Sequence, residues 1–344
     1  MRVLVTGHQG YLGTVMVPLL QAAGHDVVGL DSGLFAACVL GPAPLEPPAL
    51  HTDLRDVTVE QLAGFDAVIH LAALSNDPLG ALAPDITYDI NHHASVRLGR
   101  LAKAAGVSRF LYASTCSVYG SAGADLVGED APLRPLTPYA ESKVRVEDDL
   151  AAIADSGFAP VFLRNATAFG FSPRLRADIV LNNLVGHAVL TGDVRVLSDG
   201  TPWRPLVHAR DIAAAFAVCL SAPVDRIYCT AYNVGTEANN WTVAQIAGAV
   251  ADVVPDSELL ITGESGPDPR SYRVDFSRMR SALGFEATWT IPDGAVELYQ
   301  RYTAYHLTAD DFFGKFTRLA VLKQRQEAGE LDATMRRTDA IAAP

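Results

Sequence analysis

The sequence predicts an α/β protein: a doubly wound parallel sheet with a smaller C-terminal domain. Three observations carry this. Short β-branched apolar runs alternate with helix-length stretches over residues 1–170. The first run turns into a helix through three glycines spaced G-x-x-G-x-x-G. The alternation then loosens, as expected where a second unit begins. Strands and helices at this pitch build βαβ units, and right-handed crossovers place helices on both faces of the sheet.

Each element has a local reason. "RVLVT" is a short β-branched run suited to a buried parallel strand. "YLGTVMVPLLQAAG" has helical spacing and ends on a glycine that can cap it. "HDVVGLD" is a second strand and "DAVIHLAAL" another. "HHASVRLGRLAKAAG" follows as a helix, "SRFLYAST" as a strand, "PYAESKVRVEDDLAAIADSG" as a helix, and "APVFLRNA" closes the series. "RPLVHARDIAAAFAVCL" and "AYNVGT" read as a return to the first domain. The expected division is a dinucleotide-binding domain of residues 1–170 rejoined by 206–235. Residues 171–205 and 236–344 would form the substrate-binding domain, ending in a helical extension. The stretch from Thr308, "TADDFFGKFTRLAVLKQRQEAGELD", reads as an added amphipathic helix that covers the core or mediates association. "GPAPLEPPAL" is a loop.

Composition excludes several classes. A chain of 344 residues, about half of them apolar, is globular and long enough for an ample core. Its net charge of -12 argues against nucleic-acid binding, which needs clustered Lys and Arg. The four cysteines, Cys38, Cys116, Cys219 and Cys229, lack metal-type spacing and read mostly as small buried hydrophobes in a reducing compartment. No metal site is expected. The N-terminus runs straight into a strand, which predicts no signal peptide, and no apolar run reaches the length of a membrane span. The expected location is the cytoplasm.

The glycines sit where the first strand becomes the first helix, the context a dinucleotide fingerprint requires. Gly7 permits the tight turn, Gly10 lets backbone approach a pyrophosphate, and Gly13 allows close helix–strand packing. The helix N-terminus offers N–H donors and partial positive charge to phosphates. Asp31, eighteen residues past Gly13, ends the second strand and is placed for the adenosine ribose hydroxyls. It would repel a 2′-phosphate, and "SGLFAA" after it brings no Arg or Lys, so NAD is expected over NADP. This is a Rossmann pattern.

A second constellation carries chemistry. "STCSVYG" ends the strand beginning at Arg109, and "YAESK" opens the next long helix. Tyr139 and Lys143, four apart on a helix, share one face. A nearby ammonium favours the phenolate, which makes Tyr139 a usable general base. Thr115 can donate or accept at the same substrate oxygen.

With these motifs in place, the chain resembles the extended short-chain dehydrogenase/reductases of the NAD-dependent nucleotide-sugar epimerase/dehydratase family. The matching pieces are "TGHQGYLG", Asp31, "DLRD", "HLAA", Asn91, "STCSVYG", "YAESK", "LRNATAFG", "NNL" and "DGTPWRPLVHARDIA". The resemblance implies NAD held through the cycle. Gln9, Tyr11, Leu12, Leu71, Ala73 and Asn91 would join the cofactor contacts. Asp53 and Leu54 would flank the adenine and Ala72 the pyrophosphate. Tyr139 would take the proton from a sugar hydroxyl, usually at C4, with Thr115 orienting it. Lys143 would bind the nicotinamide ribose and tune Tyr139. His70 would be packing. A homodimer is implied through the helices starting near His92 and Tyr139, which carry apolar residues beyond what a sheet face needs.

The departures also inform. Nucleotide-sugar 4,6-dehydratases place an Asp-Glu pair after the active-site Thr, whereas this chain has Cys116 and Ser117. Thr167 replaces the family's phosphate-contacting Asn, while Asn165 is new. Arg204 is kept, and Arg270 and Arg273 stand where an Arg-Pro-Gly-Asp run is common. Arg204 and Arg270 are the expected clamp on the substrate diphosphate. Asn182 is placed for the diphosphate or nucleotide. Ser75 and Asn76 either bind sugar hydroxyls or cap their loop. The leading expectation is a nucleotide-sugar 4-epimerase. The alternatives are a keto-sugar reductase, dehydratase or uronate decarboxylase of the same fold, or a non-catalytic NAD-binding regulator.

Overall fold

The structure, a computed structural model, describes residues 1–75, 83–121, 125–264 and 270–338. Its strands in chain order are β1 (Arg2–Thr6), β2 (Asp26–Asp31), β3 (Ala49–His51), β4 (Ala67–His70), β5 (Arg109–Thr115), β6 (Leu126–Val127), β7 (Ala159–Asn165), β8 (Thr167–Phe169), β9 (Asp193–Val196), β10 (Trp203–His208), β11 (Thr230–Val234), β12 (Asn240–Thr242), β13 (Glu258–Ile261) and β14 (Arg273–Val274). The principal helices are α1 (Gly13–Ala22), α2 (Ala94–Ala104), α3 (Pro138–Ala152), α4 (Val180–Thr191), α5 (Ala209–Ser221), α6 (Val243–Val253), α7 (Ser277–Leu283), α8 (Ile291–Ala304) and α9 (Arg318–Glu327).

β1 is apolar without alternation because both its faces are covered. Val3 and Val5 pack with Met16 and Leu20 of α1 and with Ile212 and Phe216 of α5. Leu4, between them, faces Leu98 of α2 and Val146 and Leu150 of α3. The resulting seven-stranded sheet runs β11-β7-β5-β4-β1-β2-β3, and its recorded pairings are parallel. This is the doubly wound order expected from the alternation. Buried His70 ties β4 to its neighbours, with its ring nitrogens 2.6 Å from Thr6 Oγ1 and 2.7 Å from Ser95 Oγ. Burial holds its pKa down to about 3, so the ring is neutral packing.

A second cluster collects α4, α6 and α8 around β9 and β13, with Leu181, Val185, Ile246, Val250, Leu298 and Tyr302 inside. β10 stands between β8 and β12 in a small three-stranded sheet, while α5 and β11 after it join the main sheet.

Two sequence expectations change. The stretch from Thr308 is not one helix: a π-type turn at Asp311–Lys315 gives way to α9, and the chain then continues as a strap to residue 338. The break is fixed by Phe316 N–H bonding to Asp311 O at 2.9 Å and Thr317 Oγ1 donating to Phe312 O at 3.0 Å, so both buried phenylalanines point inward. On α2 and α3 the apolar residues are spent on the sheet, and the outward side carries Arg97, Arg100, Arg145 and Asp148. Among the described residues no large exposed apolar side chain lies on either helix.

Candidate active site

The chain leaves β1 toward β2 on one side and leaves β4 toward β5 on the other, so the carboxyl ends of β1 and β4 border the switch-point crevice where ligands bind in such sheets. A cavity of 630 Å³ opens there, large enough for small-molecule chemistry. The glycine turn forms its floor. Gly7 has φ +74°, and a Cβ on it would lie 2.8 Å from Ala72 N. A Cβ on Gly13 would collide with the backbone of Gly7 and His8. Gly10 meets only the Gly7 carbonyl, which leaves its cavity side open to a phosphate group. Asp31 accepts Gln9 N–H at 3.1 Å and Gly33 N–H at 2.9 Å, so the turn it would help form is held against the strand end. Further along the cavity Asp53 accepts from Arg55 through its backbone N–H and through Nε and Nη2, at 2.7–2.9 Å. Burial opposes ionisation of Asp53, yet Arg55 holds its carboxyl below the usual range.

On the facing wall, β5 delivers Thr115 and the first turn of α3 delivers Tyr139. Thr137 caps α3, accepting Ala140 N–H at 3.2 Å, and Pro138 takes the first helical position, which sets where Tyr139 emerges. One turn on, buried Lys143 donates to Ala113 O at 2.8 Å and lies 5.7 Å from the centre of the Tyr139 ring. Burial pulls the Lys143 ammonium down to about 7, against the opposing pull of Glu147. Glu147 is itself engaged with Arg164 at 2.7 Å and with Ser114 Oγ at 2.5 Å. Thr115 Oγ1 accepts Ser117 N–H at 3.1 Å, which fixes the hydroxyl at the strand end. Cys116 faces away: its thiol is buried, donates to Arg164 O at 3.1 Å, and is pushed well above its ordinary pKa by burial.

Nearly every residue singled out from the sequence lies on this wall, including Gln9, Tyr11, Leu12, Leu54, Leu71, Ala73, Ser75, Thr167, Arg204 and Arg270. Three stand apart. Asn91 is buried, its carboxamide spent on Leu74, accepting from N–H at 2.8 Å and donating to the carbonyl at 3.0 Å. It positions the loop after β4 and does not line the cavity. Asn182 is likewise buried and spent on Gly170 and Arg176 backbone. Its neighbour Asn183 reaches the wall, because successive helical residues point about 100° apart. Asn76 lies outside the described residues.

The sequence reading missed Arg176, Asp178, Ser117, Tyr272 and Arg318, all on the wall. Arg176 grips Asp178 through Nε and Nη2 at 2.9 and 2.8 Å and donates from Nη1 to Ser75 O and Oγ at 3.1 and 3.0 Å. Ser75 is thus a partner of Arg176. Arg204 donates to the backbone carbonyls of Trp203 and Arg270. Ser117 stands within the STCSVYG motif two residues after Thr115, whereas Arg176, Asp178, Tyr272 and Arg318 carry no local pattern and come from separate parts of the chain. Among the described residues no group of His, Cys, Asp and Glu is placed to hold a metal ion, and no helix is long and apolar enough to cross a membrane.

The family model of NAD dependent epimerase/dehydratase proteins matches residues 3–235. The chain belongs to that family. The UDP-glucose 4-epimerases of Corynebacterium glutamicum and Mycolicibacterium smegmatis are each 30% identical to it. The first alignment covers 83% of this chain and 90% of the relative, the second 86% and 96%. Among solved structures, MoeE5 in complex with UDP-glucuronic acid and NAD superposes with a TM-score of 0.75 at 29% identity, over 88% of this chain and 99% of that one. The epimerase/dehydratase family chain described here is an enzyme whose cofactor is NAD. The uncrowded cavity side of Gly10, the Asp31 carboxylate at the strand end and the buried Lys143 fit that dinucleotide.

Proposed function

We infer that the enzyme is a nucleotide-sugar 4-epimerase acting by transient oxidation of the sugar at C4. The observation that carries this reading is that Thr115, Tyr139 and Lys143 line the same cavity as the glycine turn. When bound, NAD would supply the acceptor for the C4 hydride and the donor for its return to the opposite face, which inverts that carbon. Tyr139 takes the C4 hydroxyl proton and gives it back. Thr115, its own oxygen held by Ser117 N–H, orients that hydroxyl. Lys143 holds positive charge beside the phenol and reaches the nicotinamide ribose. Arg204 and Arg270 bind the substrate diphosphate, and Thr167 and the Arg176–Ser75 pair border the sugar. Similarity to two UDP-glucose 4-epimerases and to MoeE5 in complex with UDP-glucuronic acid favours a uridine diphosphate sugar. The inward, pinned thiol of Cys116 speaks against 4,6-dehydration, which needs acid and base at that position.

The same proposal includes a cytoplasmic location and a homodimer through α2 and α3. The dimer rests on family resemblance, since the outward side of these helices is charged. Light scattering at micromolar concentration tests it, and a monomer mass rejects it.

The deciding experiment incubates the enzyme, without added cofactor, with a panel of nucleotide-diphosphate sugars and resolves products by mass spectrometry and NMR. The expected product is an isomer of unchanged mass inverted at C4. A mass change, or stoichiometric consumption of added NADH, overturns the reading.

A further inference from the structure

The C-terminal segment beyond the family-matched region reaches into the cofactor cavity, and its contacts leave a buried positive charge without a counter-charge. Arg318 is the first residue of α9 and is 5% exposed. Its guanidinium lies 4.3 Å from the centre of the Phe35 ring, and Nη2 donates to Arg174 O at 3.1 Å. Its Nη1 is buried without a hydrogen-bond partner among the described residues, and the side chain lines the cavity. The surroundings do not neutralise it. Asp178 is held by Arg176 and Glu46 by Arg174 at 3.0 Å, so the buried Arg174 and Arg318 and the largely covered Arg176 share two carboxylates, of which Glu46 is exposed to solvent. Arg174 Nε and Nη1 are likewise without a hydrogen-bond partner among the described residues. Burial pulls Arg318 down to about 10, as expected of a cation with too little compensation. A cation at the first residue of a helix also opposes the positive end of the helix dipole, an arrangement that an anion offsets.

The position identifies the anion. Glu46, which holds Arg174, also accepts from Gln9 Nε2 at 3.3 Å, and Gln9 belongs to the glycine turn. Gln9 Oε1 is a further buried polar atom without a partner among the described residues. The same tail anchors at the other side of that turn. Arg325 Nη1 donates to Leu34 O at 2.7 Å, Arg337 Nη2 donates to Gly33 O at 3.1 Å, and Met335 lines the cavity. We propose that Arg318 is a diphosphate-binding residue for the dinucleotide, contributed by the C-terminal segment, with the strap after α9 closing the adenosine end of the groove.

The test is equilibrium binding to NAD-free protein, which requires no turnover and so stands apart from the reading of the sugar chemistry. NAD, ADP, adenosine and UDP are titrated into the wild type, Arg318→Met and Arg318→Lys by calorimetry. Losing one charge-assisted contact weakens NAD and ADP about 10- to 100-fold in Arg318→Met, while adenosine and UDP stay within about twofold. Arg318→Lys recovers part of the loss, because it restores charge without the planar fork. Three results overturn the proposal: NAD affinity within about twofold of wild type in a folded Arg318→Met, an equal loss for adenosine, or a loss confined to UDP. The last result would assign the guanidinium to the substrate. Should Arg318→Met fail to fold, a crystal structure of the wild-type NAD complex decides, with Arg318 within hydrogen-bond distance of the diphosphate or turned from it.

Discussion

Lys143 Nζ lies 5.7 Å from the centre of the Tyr139 ring, and the ammonium is anchored there by the carbonyl of Ala113. The helix turn between the two residues and the strand end that supplies Ala113 fix this relation together. The relative positions of Tyr139, Lys143 and Thr115 are therefore set by backbone geometry, whatever ligand arrives.

Tyr139→Phe keeps the ring and removes the oxygen. Turnover of a nucleotide-sugar substrate is expected to fall by about 10²–10⁴-fold, the worth of general-base catalysis. Retention of NAD through gel filtration should be unchanged. Near-normal turnover would remove Tyr139 from the proposed role.

Lys143 predicts a pH signature of stability in the NAD-free protein. Its folded pKa of about 7 lies below the ordinary lysine value near 10.4. Between them the unfolded chain binds the proton and the fold does not, so this group makes stability rise with pH from about 7 to 10. Lys143→Met lacks that contribution. Denaturant titrations from pH 7.5 to 9.5 should show the wild type gaining on the variant by up to about 1.4 kcal/mol per pH unit. Parallel stability curves would contradict the depressed pKa.

Cys116→Ala should leave turnover within about twofold, because the thiol points to Arg164 O behind the strand. Its cost is stability, about 1–2 kcal/mol for a small buried group with one hydrogen bond. A large loss of rate at unchanged melting temperature would place the thiol in the chemistry.

Asp31→Ala should weaken NAD and narrow the preference over NADP about tenfold or more, since a carboxylate no longer faces the 2′-phosphate. The variant also loses the acceptor for Gln9 and Gly33 N–H, so its melting temperature should drop. Native protein that binds NADP more tightly than NAD would contradict the role of Asp31.

What could be read in the sequence was what local spacing encodes. Gly7, Gly10 and Gly13 show in their G-x-x-G-x-x-G spacing, although the collision that keeps Gly7 a glycine is with Ala72 far along the chain, and Tyr139 and Lys143 are tied by one helix turn. The inner strands of the main sheet announce themselves because both of their faces are buried, whereas the edge strand β3, half-buried at Ala49 and Leu50 and exposed at His51, falls partly in the stretch that reads as a loop. Arg176, Asp178 and Arg318 escaped notice because their meaning lies in contacts across the chain, such as Arg176 with Ser75. The choice between Asn182 and Asn183 depended on which side of α4 packs into the core, and adjacent asparagines do not disclose that. The break at Phe316 and Thr317 was hidden because amphipathic spacing continues through it.

The strap has a consequence for how the molecule is made. Arg55 donates to Thr334 O at 2.9 Å across 279 positions of sequence, and Arg336 meets Asp56 across 280. The glycine turn leaves the ribosome well ahead of the segment proposed to close over its adenosine side. At about 5–20 residues per second, the interval is roughly fifteen seconds to a minute. On that proposal, a nascent chain that has already laid down its central sheet carries an open groove until the strap emerges, and firm cofactor capture waits for the strap.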